Sequence, residues 1–497
     1  MHILLYISFF VSRLINLGSI PVFNDESIYI DWGYRAINID GFSFYSLYDS
    51  KQPLVLWLFG ISQKFISDPL LASRFISVVF GFFSLLGITL IAKQLFPSKK
   101  FHFAGLIYIF TPIFLFFDKQ ALMESAVFCV GIYLYLLFNI FKKSDSTLHS
   151  MLFGLLIGLS LYIKSSILMY LLALVPLFIL EVRKNNDQQN FKLYAHSFIA
   201  LATSGVVLIP LLSQDLFWKT IGTNDRFVLN FYEILSLPVT VWFKNTVSFL
   251  SISSLYISPV AVPLLVFIVL RAKKLSPRLR DFFIYFSGVV ILAILLTRSL
   301  NVRYTMPLLF GFPIFFEYLV HEYRLKKKIL NSLYMVFFLP QIVLSFLLLS
   351  NYEAYFKVLN LVPRYSQYEE YLVSWTSGIA AQQAVEYIQD FELAENQKVF
   401  IGLRTDAGNP ENTVIYSFYN NKNTIVSYFD SQVIQDFAQY DCLKSPQKFI
   451  FVSRDTQFGG TQQFWQEKAR FYNLEAQNFV AVHVIKENCE GKTLEIN

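Results

Sequence analysis

Apolar segments long enough to cross a lipid bilayer follow one another through the first 350 residues of the chain. A helix that spans the hydrocarbon core needs about 20 mainly apolar residues. Hydrophobic residues make up 55% of the 497 residues and charged residues only 15%, whereas soluble proteins carry about 25% charge. The pattern predicts an α-helical polytopic membrane protein. We expect eleven spans, at about residues 2–18, 70–95, 102–117, 120–141, 148–163, 165–181, 193–213, 253–271, 281–297, 302–320 and 329–350.

Basic residues predict the orientation of these spans. If the N-terminus is cytoplasmic, each even-numbered loop is inside and carries Lys or Arg, as in Lys142-Lys143. Basic loops are typical of the cytoplasmic side. The pattern therefore predicts a multi-pass protein of the cell membrane with residues 351–497 outside. The segment Ile3 to Leu17 has no basic n-region and no A-x-A-like exit, so no cleavable signal peptide is expected.

Composition changes after residue 350, where polar residues increase and apolar runs become shorter. We expect a transmembrane catalytic domain over 1–350 and a small extracytoplasmic α/β domain over 351–497. The predicted helices are Ile379 to Phe391 and Gln462 to Asn473, and the predicted strands are Val399 to Leu403, Val414 to Phe418, Lys448 to Val452 and Val480 to Ile485.

Several function classes lack their sequence signatures. The chain has no Walker loop, no GxGxxG, no zinc-type Cys/His cluster and no RNA-binding signature, so no nucleic-acid partner is expected. A net charge of +6 is modest and its basic residues lie in short loops. Three cysteines cannot form a disulfide framework, although Cys442 and Cys489 could pair in an oxidising compartment.

The stretch from Asn24 to Leu58, in the first outer loop, combines acids, an amphipathic helix and a lysine. It opens with Asp25 and Glu26. Apolar residues then recur at helical spacing, which predicts a short amphipathic helix lying along a surface. Lys51-Gln52-Pro53 follows, and after it an apolar stretch that is too short to predict a span.

Charged residues cluster at the outer ends of the predicted helices. Charges at membrane depth are costly, about 2.5–3.5 kcal/mol each at a helix centre, and usually face a cavity. Lys and Arg suit an anionic group such as phosphate, and a nearby carboxylate suits a general base. The pattern predicts an outward-facing polar cavity formed by Asp25, Glu26, Lys51, Asp118, Lys119, Glu124, Lys164, Arg298 and Arg303.

Structural interpretations of these residues stay open. Asn24 or Asp25 can cap the amphipathic helix, and a lysine or arginine such as Lys164 or Arg298 can be a snorkelling anchor. Tyr304 can be an interfacial aromatic and Lys51 a solvated loop charge. Glu124 lies within an apolar helix, so a cationic partner is expected, and Lys119 is close in sequence.

The order of these elements resembles the C-type (GT-C) glycosyltransferases of the protein O-mannosyltransferase and aminoarabinose transferase group. The matching elements are a short first span, the DE loop, K-x-P-L-x-x-W-L, basic-x-A-L-x-acidic after the third span, a lysine at the outer end of the fifth span, and R-Y-x-x-P at the start of a late span, over roughly residues 1–350. The resemblance implies a membrane enzyme that takes a sugar from a polyprenyl-phosphate carrier and inverts the anomeric centre.

The resemblance also implies roles for individual residues. Asp25 matches the family's base or acceptor-orienting acid, with Glu26 beside it. Lys51 matches the lysine of a Lys-Pro-Pro element near the donor phosphate, and Arg303 and Tyr304 match a late Arg-Tyr pair. Gln52 stands where the family has proline, and Lys119 stands where it has arginine.

We therefore expect an inverting glycosyltransferase that acts at the outer face, with a lipid-phosphate sugar as donor and a protein, lipid or glycan as acceptor. Asp25 and Glu26 are the predicted catalytic pair, no cofactor is required, and a divalent metal at this pair stays open. Donor-phosphate ligands are expected to be Lys51, Arg303, Tyr304, Lys164 and Arg298, with Asp118, Lys119 and Glu124 as supporting cavity residues.

Three alternatives remain at this stage. A polymerase or ligase of lipid-linked oligosaccharide would use a diphosphate-linked donor. A transporter or flippase of lipid-linked sugar predicts charges on both membrane faces and repeat-related broken helices, whereas the charges here collect on one face. A receptor whose outer domain binds sugar does not explain the charges near Asp25.

Overall fold

The computed structural model describes residues 2–97, 103–220, 226–321, 327–390, 399–404, 408–428, 448–454 and 465–485. The chain forms two compact units. The first comprises Met1–Leu17, Ile39–Leu58 and Arg74–Ser366, and the second comprises Gly18–Asn38, Phe59–Ser73 and Gln367–Asn497. The predicted division at residue 350 stays a prediction.

Helices make up the first unit, and α3 and α4 also have residues in the second. The helices of the whole chain are α1 His2–Leu14, α2 Asn24–Asn38, α3 Leu54–Ser62, α4 Pro69–Leu95, α5 Ala104–Phe110, α6 Pro112–Asp118, α7 Glu124–Phe141, α8 Thr147–Leu161, α9 Ile167–Lys184, α10 Asp187–Leu212, α11 Asp215–Thr220, α12 Phe231–Leu235, α13 Val239–Tyr256, α14 Ala261–Arg271, α15 Pro277–Leu296, α16 Val302–Thr305, α17 Phe312–His321, α18 Lys327–Ser350, α19 Tyr352–Leu359, α20 Ile379–Gln389 and α21 Glu411–Ser417.

Four helices of the described chain are long and apolar enough to cross a membrane, namely α4, α7, α10 and α15. A fifth span is formed if Val239–Tyr256 and Ala261–Lys274, which are bent by 118°, count as one broken span. Shorter apolar helices lie at Ile3–Leu14, Thr147–Leu161 and Leu339–Ser350. The polytopic helical class is confirmed, whereas the count of eleven spans is not.

The predicted span at 102–117 consists of two short helices, α5 and α6. Thr111 separates them with extended backbone, at ψ 118°. Pro112 follows, and the residue before a proline is sterically kept from helical geometry. The apolar run is therefore continuous in sequence although the helix is not.

A five-stranded sheet forms the core of the second unit. Its strands are β1 Val399–Leu403, β2 Thr424–Tyr428, β3 Lys448–Ser453, β4 Trp465–Tyr472 and β5 Phe479–Ile485, in the order β2-β1-β3-β5-β4. The pairs β1–β2 and β1–β3 are parallel, and β3–β5 and β4–β5 are antiparallel. Alternate apolar residues of the strands pack with α20 and α21 in one buried core, which confirms a small α/β domain.

Two predicted elements of this unit are wrong in type. Val414 to Phe418 was expected as a strand, but it lies largely in helix α21, whose residues 411 to 416 are all buried. A short apolar run that is buried on every side has no period that separates strand from helix. Gln462 to Asn473 was expected as a helix, but Trp465–Tyr472 pairs with β5, because strand pairing overrides local propensity.

Among the elements of the second unit, the sequence predicted three strands and two helices correctly, namely β1, β3, β5, α2 and α20. Strand β2 was not expected. Cys442 and Cys489 lie outside the described residues.

Close packing of α8 against α10 depends on a glycine. A Cβ atom added at Gly154 would lie 2.2 Å from the carbonyl oxygen of Ala200. Small residues let helices approach closely in membranes. Gly205, on α10, would have no atom within 4 Å of such a Cβ.

We expect Gly154→Leu to destabilise the protein by roughly 1–3 kcal/mol, because overpacking forces the helices apart. Gly205→Leu is the matched control, since it makes the same chemical change in open space. The measurement is the melting temperature of each purified variant in detergent. Equal melting temperatures would contradict the close packing of α8 and α10.

Candidate active site

A cavity of about 360 Å³ lies within the first unit. Lys51, Lys164, Arg303 and Tyr304 are among its lining residues. Most of the remaining wall is apolar and comes from Met123, Val127, Leu168, Met169, Leu172, Val228, Leu229, Ala293, Leu296, Leu300, Pro307 and Leu308. The cavity therefore combines cationic groups with an apolar wall, as ligand pockets for amphiphilic molecules require.

Glu124 links two of the cations. Its Oε1 accepts a hydrogen bond from Lys164 Nζ at 2.8 Å and another from Arg303 Nε at 2.8 Å. The Glu124 side chain is fully buried, whereas those of Lys164 and Arg303 are 22% and 12% exposed. Lys164 Nζ also lies 5.0 Å from the centre of the Tyr304 ring, within cation–π range. The carboxylate thus holds two cations beside the cavity.

Asparagine side chains hold the segment that carries Arg303. Asn245 Oδ1 accepts from the amide of Leu300, and its Nδ2 donates to the carbonyl of Thr297. Asn301 is the N-cap residue of α16, since its side chain accepts a hydrogen bond from the backbone amide of Tyr304. Such capping satisfies amides that the helix cannot pair, so the Arg303–Tyr304 pair has a fixed backbone.

Lys51 lies on a turn that is closed by hydrogen bonds on both sides. Its amide donates to the Ser46 carbonyl, and its carbonyl accepts from Ser46 Oγ. The amide of Leu54 donates to the Tyr162 carbonyl, which ties this turn to the segment before Lys164. Lys51 Nζ lies 3.7 Å from Asp49 Oδ2 and 5.2 Å from the centre of the Phe227 ring.

Arg298 makes a separate ion pair with Glu233, at 2.8 Å. Both side chains are about one-third exposed, at 36% and 34%. The pKa of Glu233 is lowered, first because its carboxylate accepts from the Asn230 amide and then because Arg298 is adjacent. Among the described residues, Arg298 does not line the cavity.

Asp118 and Lys119 do not line this cavity either. Asp118 is buried and pairs with Arg13 at 3.2 Å, and it also accepts from Tyr108 and Ser125. Lys119 donates to the carbonyl of Ile15. The expectation that Lys119 pairs with Glu124 is wrong, because Lys164 and Arg303 occupy that carboxylate. Arg13 was missed, although an arginine inside an apolar segment is itself a sequence signal.

Asp25 and Glu26 lie on α2, which is part of the second unit. Asp25 is half-buried and Glu26 is fully buried. Glu26 Oε2 accepts from the amide of Phe23 at 3.3 Å. Since α2 begins at Asn24, this carboxylate satisfies the backbone amide of the residue just before the helix. Glu26 therefore stabilises the N-terminus of α2.

Residues of the C-terminal sequence hold α2. The backbone N–H of Asn409 donates to Asn24 Oδ1, and its side-chain Nδ2 donates to the carbonyls of Val22 and Thr376. Its Oδ1 accepts from Thr413 Oγ1 at 2.6 Å. Asn409 is 1% exposed, so these contacts form a buried asparagine clasp around the start of α2.

A second set of contacts holds the middle of α2. Asp31 is buried and pairs with Arg35 through both carboxylate oxygens, at 2.9 and 2.6 Å. Asn412 Nδ2 donates to Asp31 at 2.6 Å, and the Tyr419 hydroxyl donates to it as well. The contacts of Asp31 with Asn412 and Tyr419 were not predicted, because these residues lie 381 and 388 positions away in the chain. Among the described residues, no three His, Cys, Asp or Glu side chains are grouped to hold a metal ion.

Residues 50–209 match the model of a family described as dolichyl-phosphate-mannose-protein mannosyltransferase. No curated protein sequence matches the chain. Two solved structures are similar over 96% of this chain and 96% of theirs, both of ArnT from Cupriavidus metallidurans. The apo form has 12% identity and a TM-score of 0.57, and the form bound to undecaprenyl phosphate has 13% identity and a TM-score of 0.56.

The predicted resemblance to the C-type glycosyltransferases is thereby confirmed. The chain has the fold of the ArnT structures and is a multi-pass membrane protein. At these identities, the similarity to the solved structures concerns the fold.

We expect Glu124→Gln to destabilise the protein by about 3 kcal/mol, because it leaves two adjacent cations without their buried counter-charge. Glu233→Gln is the matched control. It removes a Glu–Arg pair of the same length whose side chains are about one-third exposed, and ion pairs that water reaches contribute little. Melting temperatures in detergent check the difference. A larger effect at Glu233 would contradict the assigned role of Glu124.

We expect Asn409→Ala to destabilise the protein by about 2 kcal/mol, since it removes the side-chain donor to the buried carbonyl of Val22 and to the part-buried carbonyl of Thr376. Asn420→Ala is the control, because Asn420 is exposed and bonds one carbonyl, that of Ser67, at 2.9 Å. Thermal unfolding of the full chain measures both. If the two variants melt alike, the clasp does not hold α2.

Proposed function

We propose that the protein is an inverting glycosyltransferase that moves a sugar from a polyprenyl phosphate to an acceptor at the outer face of the membrane. The observation that carries this proposal is the cavity that joins Lys51, Lys164, Arg303 and Tyr304 to an apolar wall. A lipid-linked sugar phosphate has the same two parts, an anionic group and a long apolar tail. Nothing in the site requires a nucleotide donor.

The positive charge of the site suits the polyprenyl phosphate that is released as the leaving group. Lys51, Lys164 and Arg303 carry three positive charges, and Glu124 and the cavity residue Asp49 carry two negative charges, so these five residues sum to +1. A sugar phosphodiester carries one negative charge, and the released phosphate monoester carries about −1.5 to −2 at neutral pH. The site therefore stabilises the leaving group more than the bound donor, which is what accelerates a reaction.

Asp25 is proposed as the general base. The acceptor attacks the anomeric carbon, the bond from that carbon to the phosphate oxygen breaks, and the electron pair leaves with polyprenyl phosphate. The acceptor's proton passes to the Asp25 carboxylate, and Glu26 holds the start of α2 beside it. A single displacement inverts the anomeric centre.

The comparison supports the donor class. One structure of similar fold is of ArnT bound to undecaprenyl phosphate, and the matching family is described by dolichyl-phosphate-mannose. We carry the polyprenyl-phosphate chemistry over to this chain as part of the proposal. The basic loops of the sequence support an N-terminus in the cytoplasm and a C-terminal domain outside.

The acceptor class and the sugar are left to experiment, and so is a divalent metal at Asp25 and Glu26. A polymerase or ligase of lipid-linked oligosaccharide and a flippase stay the alternatives. Each makes a distinct prediction in the same assay.

The test is sugar transfer by the purified protein in detergent, with a panel of polyprenyl-monophosphate sugars. We expect release of polyprenyl phosphate, and a loss of about 10²–10⁴-fold in rate with Asp25→Asn, the range typical of general bases. Asp40→Asn is the control, because Asp40 is an exposed acid of the same sequence stretch.

Full activity of Asp25→Asn would show that Asp25 is not the base. Turnover that requires a diphosphate-linked donor would favour the polymerase or ligase. No turnover with any donor, together with protein-dependent movement of lipid-linked sugar across liposomes, would favour the flippase.

A further inference from the structure

Gln52 is a polar side chain in the wall of the cavity that the proposed phosphate site does not use. It follows Lys51 directly and lines the same cavity. Its side chain is nine-tenths buried, at 7% exposure. Among the described residues, its amide oxygen Oε1 is buried and has no hydrogen-bond partner.

The backbone on both sides of Gln52 is fixed, which fixes the point from which its side chain starts. Ser46 bonds the amide and the carbonyl of Lys51. Pro53 follows with a restricted φ, and the next amide, that of Leu54, bonds the Tyr162 carbonyl at 3.0 Å. The backbone thus places Gln52 at the cavity wall.

A buried amide oxygen without a hydrogen-bond partner destabilises the fold, and an apolar residue at this position would not have this cost. A ligand that supplies a donor removes this cost. The oxygen accepts only from O–H or N–H groups. An ionised phosphodiester and an isoprenoid chain have no such group, whereas a sugar has several hydroxyls.

The position of Gln52 fits the same part of the donor. The sugar is bonded directly to a phosphate oxygen, so a residue beside the proposed phosphate ligand Lys51 is within reach of it. The resembling family has proline at this position, which has no side-chain hydrogen-bonding group. A hydrogen bond from the donor sugar to this side chain would therefore distinguish this protein from family members that have proline here.

We propose that Gln52 determines specificity for the donor sugar, and that its amide oxygen accepts a hydrogen bond from a sugar hydroxyl. This inference rests on the proposed function, because it requires a polyprenyl-phosphate sugar in the cavity. It adds the part of the donor that is recognised.

The test measures binding of two kinds of probe to the purified protein. One is decaprenyl phosphate alone, and the other is decaprenyl phosphate that carries glucose, mannose, galactose or arabinose. We expect wild type to bind at least one of the four sugar-loaded lipids more tightly than the others, since all four carry the same charge and differ only in the sugar. Gln52→Met keeps the length of the side chain and removes the amide. We expect it to weaken binding of that lipid about tenfold and to leave decaprenyl phosphate unchanged.

Gln341→Met is the matched control. Gln341 is also buried, at 2% exposure, and its Oε1 also has no partner among the described residues, but it does not line the cavity. It should leave both affinities unchanged. This comparison separates loss of recognition from a general effect of replacing a buried amide.

The other outcomes overturn the inference in distinguishable ways. If wild type does not bind decaprenyl phosphate, the proposed function itself fails. If wild type binds all four sugar-loaded lipids equally, the cavity does not discriminate between sugars. An equal loss on both lipids with Gln52→Met would assign the amide to the phosphate, and no loss on either would assign it no role in binding.

Discussion

The carboxylate of Glu124 is fully buried and touches two cations, and the arrangement of the cavity depends on this contact. A buried charge that loses its partners is strongly destabilising. Lys164 comes from the turn between α8 and α9, and Arg303 from the short helix α16. The need to neutralise one carboxylate therefore fixes three distant segments together. As a result, the cations are already in place before an anion enters, which is the preorganisation that electrostatic catalysis uses.

The acidic helix α2 depends on a different kind of contact. Amides and hydroxyls near residue 410 bond its start and its middle. Asparagine side chains are short and can donate and accept at once, so a few of them satisfy several buried groups. This explains why α2 belongs to the same compact unit as the C-terminal sheet. The C-terminal sequence thus shapes the helix that carries Asp25, whether or not it also contacts an acceptor.

Local patterns predicted the parts of this structure that depend on neighbouring residues. The helical spacing of apolar residues such as Ile28 and Trp32 predicted α2, and short apolar runs predicted β1 and β5. Burial of Glu124 predicted a cationic partner, but sequence proximity suggested Lys119, whereas the partners lie 40 and 179 positions away. The Arg13–Asp118 pair and the asparagine clasp also join distant positions. No period or spacing records such contacts. Pro112 indicates the helix break after Thr111, but the continuous apolar run over 102–117 led to the prediction of a single span.

The three cations of the cavity are held to different degrees. Arg303 and Lys164 are each fixed to Glu124 at 2.8 Å, and they share its single negative charge. Lys51 lies 3.7 Å from Asp49, beyond hydrogen-bond distance, and Asp49 also bonds Arg226 at 2.8 Å. Its charge is therefore the least compensated, and a lysine side chain can follow a moving anion more easily than a planar guanidinium. A phosphate that gains negative charge as it leaves would be bound by two fixed cations, Arg303 and Lys164, and by Lys51, whose side chain can move with it.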